Sequence, residues 1–194
     1  SDKTLSESAY SFNLAEARDI PEIGPVHWDG EGEYRRYART DDGISPLAFP
    51  PMKGAVTKAN GYAHLESGIT TEDAHEIRAV QEKSLQKEKG LKKELEALPA
   101  VRTYGDEYGS VALLCWGSNK PVCAEVGERL GLRVVQPVVM NPFPIAQFKE
   151  ALEGVERKIS VETNSTGQLA RLVRCIGFKV DDQILKYDAR PFSV

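Results

Sequence analysis

Cysteine is scarce in this sequence, and so is histidine. Cys115, Cys123 and Cys175 are its three cysteines among 194 residues. An odd number without close spacing makes no disulfide framework and points to a reducing cytoplasm. No Cys-x-x-Cys pair occurs, so the chain has no thiolate set for zinc or an iron–sulfur cluster. His27, His64 and His75 lie far apart, which favours structural or solvated histidines over a metal site. No apolar run reaches the roughly 20 residues of a membrane span, so no membrane partner is expected. The N-terminus has no signal-peptide pattern. Positive charge is in deficit: 25 Lys and Arg against 29 Asp and Glu give a net charge of −4. That argues against a nucleic-acid-wrapping domain, which needs a basic face.

What is there is globular. Hydrophobic residues make up 41% and charged residues 28%, with length for one average domain and additional material. The chain begins at Ser1 and shows no sustained apolar period over its first fifty residues. The expectation is a processed or cut protein, or one that opens on an extended arm. Proline and glycine recur every few residues through DIPEIGPVHWDGEGEYRRYARTDDGISPLAFPPMKG and break both helix and sheet ladders. Within it only Tyr34–Thr40 (YRRYART) reads as a short strand. Trp28, Tyr34, Tyr37 and Phe49 are candidate anchors against a partner chain or another domain, being too many large aromatics for a free linker. Residues 1–71 are therefore expected to be an arm, with 61–71 its second connecting stretch.

Residues 72–99 are expected to form one connector helix. Asp73 is positioned to cap it, with Glu76 completing a capping box. Ile77, Val80, Ser84, Leu85, Leu91, Leu95 and Leu98 make a thin apolar stripe at helical spacing. The remaining positions are mostly charged, with Glu88 and Lys92 in the favourable i,i+4 order. Gly90 costs about 1 kcal/mol against Ala, and Pro99 ends the helix. This composition suits a connector lying on a surface; a coiled coil lacks its heptads.

From Val101 the pattern changes to strands and helices in alternation. VALLCWG, VVQPVVM (134–140), RKISVET (157–163) and ILKYDARPF (184–192) read as strands. Residues 119–130, 144–154 and 166–177 read as helices between them. Continuous Val, Ile and Leu runs alternating with amphipathic helices predict an α/β domain over 101–194: a mostly parallel open sheet with helices on both faces.

In such sheets ligands bind beyond the carboxyl ends of the strands. Two polar elbows fall there. One is Gly117-Ser118-Asn119-Lys120; the other is Glu162–Gln168, containing Asn164, Thr166, Gly167 and Gln168 and leading into a helix with Arg171 and Arg174. Free N–H groups at a helix start can hold an anion. Neither elbow has P-loop or G-x-G-x-x-G spacing, and Ser118, Asn119 or Thr166 can equally serve as helix caps. Gly117, Ser118, Asn119, Asn164, Thr166, Gly167 and Gln168 are the candidate cofactor-binding residues. Glu162 is either a general base or a partner of Arg171 or of the helix start, the second being preferred. No Ser–His–Asp set and no Cys beside a His occurs, so no catalytic or metal residue is assigned. Cys115 reads as a core residue and Cys175 as packed on the last turn of its helix.

The same stretches carry a resemblance. ALLCWGSNKPVCAEV, LGLRVVQPVVMNPFP, SVETNSTGQLARLVR and LKYDARPF resemble the C-terminal region of the alpha subunit of archaeal-type 2-oxoacid:ferredoxin oxidoreductases. That family runs W-G-S-x-K, Q-x-x-x-x-x-P-F-P, E-x-N-x-x-G-Q-[LF]-A-R-L and K-Y-D-G-R-P-F. RYARTDDGISPLAFP resembles its R-Y-x-x-T-x-D-G-I-S-P-R-A-x-P-G, and HLESGITTED its H-D-E-x-G segment before a charged helix. Leu47 stands where the pattern has Arg, Pro51 where it has Gly, and Ala189 where it has Gly.

The resemblance implies a transketolase C-terminal-like domain and the linker joining it to a preceding domain, with SDKTLSES as that domain's tail. It implies an enzyme that converts a 2-oxoacid such as 2-oxoglutarate or pyruvate to acyl-CoA and CO2 and reduces ferredoxin, using thiamine diphosphate, Mg2+ and iron–sulfur clusters. The implied partners are a beta subunit and the rest of the alpha subunit. The family's Y-P-I-T-P motif and the beta subunit's cofactor signature are absent here, so this chain is expected to be structural, to bind none of these cofactors and to be inert alone. The alternative is an independent anion-, nucleotide- or CoA-binding module using the two elbows; a weaker one is a hydrolase with Glu162 as base.

Overall fold

The computed structural model describes residues 13–15 and 24–193. The stretch Ser1–Ser8, expected as the tail of a preceding domain, lies outside them. The chain divides into two compact units, one within residues 12–93 and one carried by Glu94–Val194.

In the first unit, residues 24–71 form turns and bridges around a small core of Trp28, Tyr34 and Ala48. The Trp28 and Tyr34 rings lie 5.2 Å apart, and the Ala48 N–H donates to the Tyr34 hydroxyl over 3.1 Å. Tyr37 stacks on His64, and Phe49, 54% exposed, tilts against His27 with ring centres 5.7 Å apart. Tyr34–Thr40 is a turn, not the expected strand. Its polar groups go elsewhere: Arg35 and the Arg39 N–H both bond the Glu66 carboxylate, and the Tyr37 N–H bonds the Glu66 carbonyl.

Helix α1 spans Ala74–Glu96. The Asp73 carboxylate accepts from the N–H groups of His75 and Glu76, as a cap should. The capping box stays half-made, because the Glu76 side chain pairs with Arg39. The helix runs through Gly90 and buries none of its residues; Leu85 is 58% exposed. Among the described residues no helix is long and apolar enough to cross a membrane.

The second unit holds a five-stranded sheet. Its strands are β1 (Val101–Gly105), β2 (Val111–Leu114), β3 (Arg133–Pro137), β4 (Arg157–Glu162) and β5 (Asp182–Leu185), in the order β1-β3-β2-β4-β5. All neighbours are parallel except β1, which pairs antiparallel to β3. The helices are α2 (Lys120–Leu130), α3 (Ile145–Ala151) and α4 (Gln168–Cys175). Strand alternation sends Ala112, Leu114 and Val135 to one face, against Phe148 of α3 and Leu169 and Val173 of α4. Leu113, Cys115, Val134 and Val161 face the other way, against Cys123 of α2. A sheet covered on both faces favours apolar residues on both sides of a strand, which is why the centres of β2 and β3 read as unbroken runs.

Two strands differ from expectation. β1 was not foreseen: an edge strand half open to solvent carries a mixed sequence, here Val-Arg-Thr-Tyr-Gly. Gln147 of α3 fixes its start, accepting from the N–H of Ala100 at 2.9 Å and donating to the carbonyl of Leu98 at 2.8 Å. β5 begins at Asp182 and ends at Leu185, so Lys186–Phe192 is irregular rather than strand.

Candidate functional site

β2 and β4 are neighbours and run parallel, so their carboxyl ends bring the two elbows side by side. After β2, Gly117–Asn119 forms one 3-10 turn, with Gly117 at φ +54°, and leads into α2. Neither Ser118 nor Asn119 caps α2 through its side chain. Asn119, 4% exposed, instead donates its side-chain amide to the Val161 carbonyl of β4 over 3.2 Å, the cross-loop bond that its place predicts. Lys120 points at Tyr104 of β1, its ammonium 4.9 Å from the ring centre.

The second elbow is organised around a buried carboxylate. Glu162 has no exposure to solvent. One of its oxygens accepts from the Ser160 hydroxyl at 2.6 Å and the Ala170 N–H at 3.0 Å. The other accepts from the Asn164 amide and the Leu169 N–H, both at 2.8 Å. Burial alone would raise the pKa of this acid. The bonds from Ser160, Asn164, Leu169 and Ala170 outweigh that and hold it below its ordinary value. Glu162 is thus a fixed anion at the α4 start rather than a base awaiting a proton, and it does not pair with Arg171.

Asn164 turns inward on its own loop. Its carbonyl oxygen accepts from Gly167 at 2.7 Å, Thr166 at 3.0 Å and Gln168 at 3.3 Å. Asn164, not Thr166, therefore serves the helix start. Gly167 has φ +62°, a left-handed conformation that strains any L side chain, which is why glycine stands there. Thr166 and Gln168 are exposed.

The N–H groups of 166–170 are thus all engaged by Asn164 and Glu162. A diphosphate with its Mg2+ needs such donors free and a carboxylate aimed at the ion. The second elbow offers neither, so the residues present do not fit that group. Among the described residues no three His, Cys, Asp or Glu side chains converge on a metal-sized space. Cys115 supplies no nucleophile: its thiol is pushed up in pKa by its hydrogen bond with Cys123 and by burial. Cys175 is exposed rather than packed, although Val173 two residues before it is fully buried.

Two residues that shape this unit escaped the sequence reading. Ser160 completes the Glu162 cage, and its only sequence signal is a small hydroxyl two positions before an acid on a buried strand. Arg133, 8% exposed, donates to the carbonyls of Ala151 and Glu153 at 3.1 and 2.7 Å and to that of Glu107. Nothing local in Leu-Gly-Leu-Arg marks that role.

Fold and site together define an α/β domain whose second strand-end loop is closed on itself around Glu162 and Asn164. Comparison with known proteins places it further. No family model matches. The chain is 37% identical over 165 residues to the alpha subunit of 2-oxoacid:ferredoxin oxidoreductase 2 of Aeropyrum pernix, across 82% of this chain and 25% of that protein. It is 31% identical over 198 residues to the alpha subunit of 2-oxoacid:ferredoxin oxidoreductase 1 of Sulfurisphaera tokodaii, across 98% of this chain and 31% of that one. Among solved structures it superimposes with a TM-score of 0.77 and 26% identity on the 2-oxoglutarate:ferredoxin oxidoreductase of Magnetococcus marinus. That structure holds 2-oxoglutarate, coenzyme A and succinyl-CoA, and the match covers 90% of this chain and 31% of that one. The chain is homologous to the alpha subunits of 2-oxoacid:ferredoxin oxidoreductases and spans about a quarter to a third of the length of these relatives.

Proposed function

We propose that this chain is the C-terminal part of the alpha subunit of a cytoplasmic 2-oxoacid:ferredoxin oxidoreductase. The whole enzyme would convert a 2-oxoacid, 2-oxoglutarate or pyruvate, to acyl-CoA and CO2 with reduction of ferredoxin. The observation that carries this reading is the identity of 31–37% spread over 82–98% of the chain, against only 25–31% of the relatives' length. Thiamine diphosphate, Mg2+ and the iron–sulfur clusters belong on this reading to the beta subunit and the rest of the alpha subunit. The role of 101–194 is to fold as a domain and present surfaces for assembly, with residues 1–71 as arm and 72–99 as connector. Asn119, Asn164, Gly167 and Glu162 are architectural; Ser118, Thr166 and Gln168 carry whatever contact the elbows make with bound cofactor or CoA in the assembly. The closed hydrogen bonding of the second elbow weighs against the reading as an independent anion-binding module.

Reconstitution tests this. The chain co-expressed with the preceding part of its alpha subunit and with a beta subunit should give 2-oxoacid- and CoA-dependent reduction of ferredoxin. An assembly that keeps full activity without this chain would overturn the assignment. Calorimetric titration of the chain alone with thiamine diphosphate and Mg2+ should give no saturable heat; micromolar affinity would place the cofactor here after all.

A further inference from the structure

The first unit contains a cationic cleft that the proposed function does not use. The loop around Gly43 lies directly on α1: Gly43 has φ +77°, and a Cβ there would sit 2.7 Å from the Lys83 carbonyl oxygen and 2.9 Å from the Lys87 nitrogen. Beside this contact is a cavity of about 400 Å3 whose walls include Arg36, Tyr37, Ser45, His64, Lys83 and Lys87. Among the described residues no carboxylate lines it.

Lys83 is half-buried and bonds only neutral acceptors, the Tyr37 carbonyl at 3.2 Å and the Ser45 hydroxyl. Burial first, then the charges of Arg36 and Lys87, lower its pKa; Glu66 opposes them. The acids close enough to act on it are engaged elsewhere. Glu66 accepts from Arg35 at 2.9 Å and from the Arg39 N–H at 2.7 Å, and Asp42 accepts from the Ile44 N–H at 2.9 Å. One wall is flat: the Tyr37 and His64 rings stack at 4.0 Å and 9°, with the Arg36 guanidinium 5.4 Å from the Tyr37 ring centre. Three like charges held around one half-enclosed space repel one another, and a counter-ion there relieves all three at once.

We propose that this cleft binds the multiply charged oxyanion of a small molecule, phosphate or dicarboxylate, with Arg36, Lys83 and Lys87 as its counter-charges. All its lining residues belong to the first unit.

Titration of the full chain at low ionic strength, followed by amide NMR, tests it in two arms, sodium pyrophosphate and succinate. Saturable shifts are expected at Gly43–Ser45 and Lys83–Lys87. Arg36→Gln and Lys87→Gln should each weaken binding roughly tenfold or more, the loss of one charge-assisted contact, with a melting temperature no lower than the parent's. Binding of pyrophosphate alone identifies a phosphate group, binding of succinate alone a dicarboxylate, and binding of both recognition by charge. Absence of saturable binding in either arm, or affinity unchanged in both variants, overturns the proposal.

Discussion

Glu162 is buried, charged and bonded four times, and the stability it contributes depends on pH. Its folded pKa lies below the ordinary value of 4.5. The native state therefore releases the proton more readily than the unfolded chain. The stabilisation is complete above the ordinary value and is lost as pH falls through the folded one. Glu162→Gln should cost about 2–3 kcal/mol at neutral pH, since a carboxamide cannot accept on both sides. It should also flatten the acid limb of the stability curve; denaturant melts between pH 3 and pH 7 would read both (roughly the range where carboxylates titrate). Asn164→Ala should cost roughly 1–3 kcal/mol, because three N–H groups lose their acceptor. A variant that keeps full stability but loses phosphate or CoA binding would make the elbow a ligand site instead. Ala189, at φ +62°, is among the described residues the one non-glycine with positive φ. It stands where the resembled family has Gly. Ala189→Gly should stabilise by about 0.5–1 kcal/mol, the left-handed strain exceeding the entropy of the glycine.

At the scale of elements, α1 has little to hold it. It buries none of its residues, and its apolar stripe leaves Leu85 and Leu91 exposed. Besides the Arg39–Glu76 pair and the Lys83 bonds to the Gly43 loop, its stability rests on the Asp73 cap, on the Glu88–Lys92 pair at 2.7 Å and on intrinsic propensity. Gly90 is exposed, and a Cβ there meets nothing within 4 Å. Gly90→Ala should therefore raise stability by about 0.5–1 kcal/mol and slow amide exchange in the surrounding turns. Faster exchange would mean that the helix is bent at this point by design. α4 is the opposite case: short, but fixed at its start by Glu162 and Asn164 and packed through Leu169, Ala170 and Val173.

For the whole molecule, the division near Glu94 sets where the second unit can be cut. A chain starting at Thr103 would lose the first half of β1, the buried Ala100 and the Gln147 bonds that fix both. A chain of residues 94–194 should melt in one cooperative transition. The 103–194 chain should melt lower, with β3 exposed as an unprotected edge. Equal melting temperatures for the two would show that β1 adds nothing to the core.

The sequence by itself determined the elements that are buried on two sides. VALL and RVVQP, short Val- and Leu-rich runs between turn signals, read as strands of a covered sheet, and RKISVE fits as the next strand in the alternation of strands and helices. It also determined the order of motifs that ties the chain to its relatives, because that order is a property of the string. The tertiary structure alone decided the rest. β1 is a strand because β3 offers it a ladder, not because its residues demand one. YRRYART is a turn because Glu66, some thirty residues on, takes its donors. Asn164 bonds inward because the Glu162 carboxylate is already beside it. Arg36, Lys83 and Lys87 share a cleft because a positive-φ glycine lets one backbone rest on another. Each of these depends on a partner distant in sequence, and local pattern carries no record of distant partners.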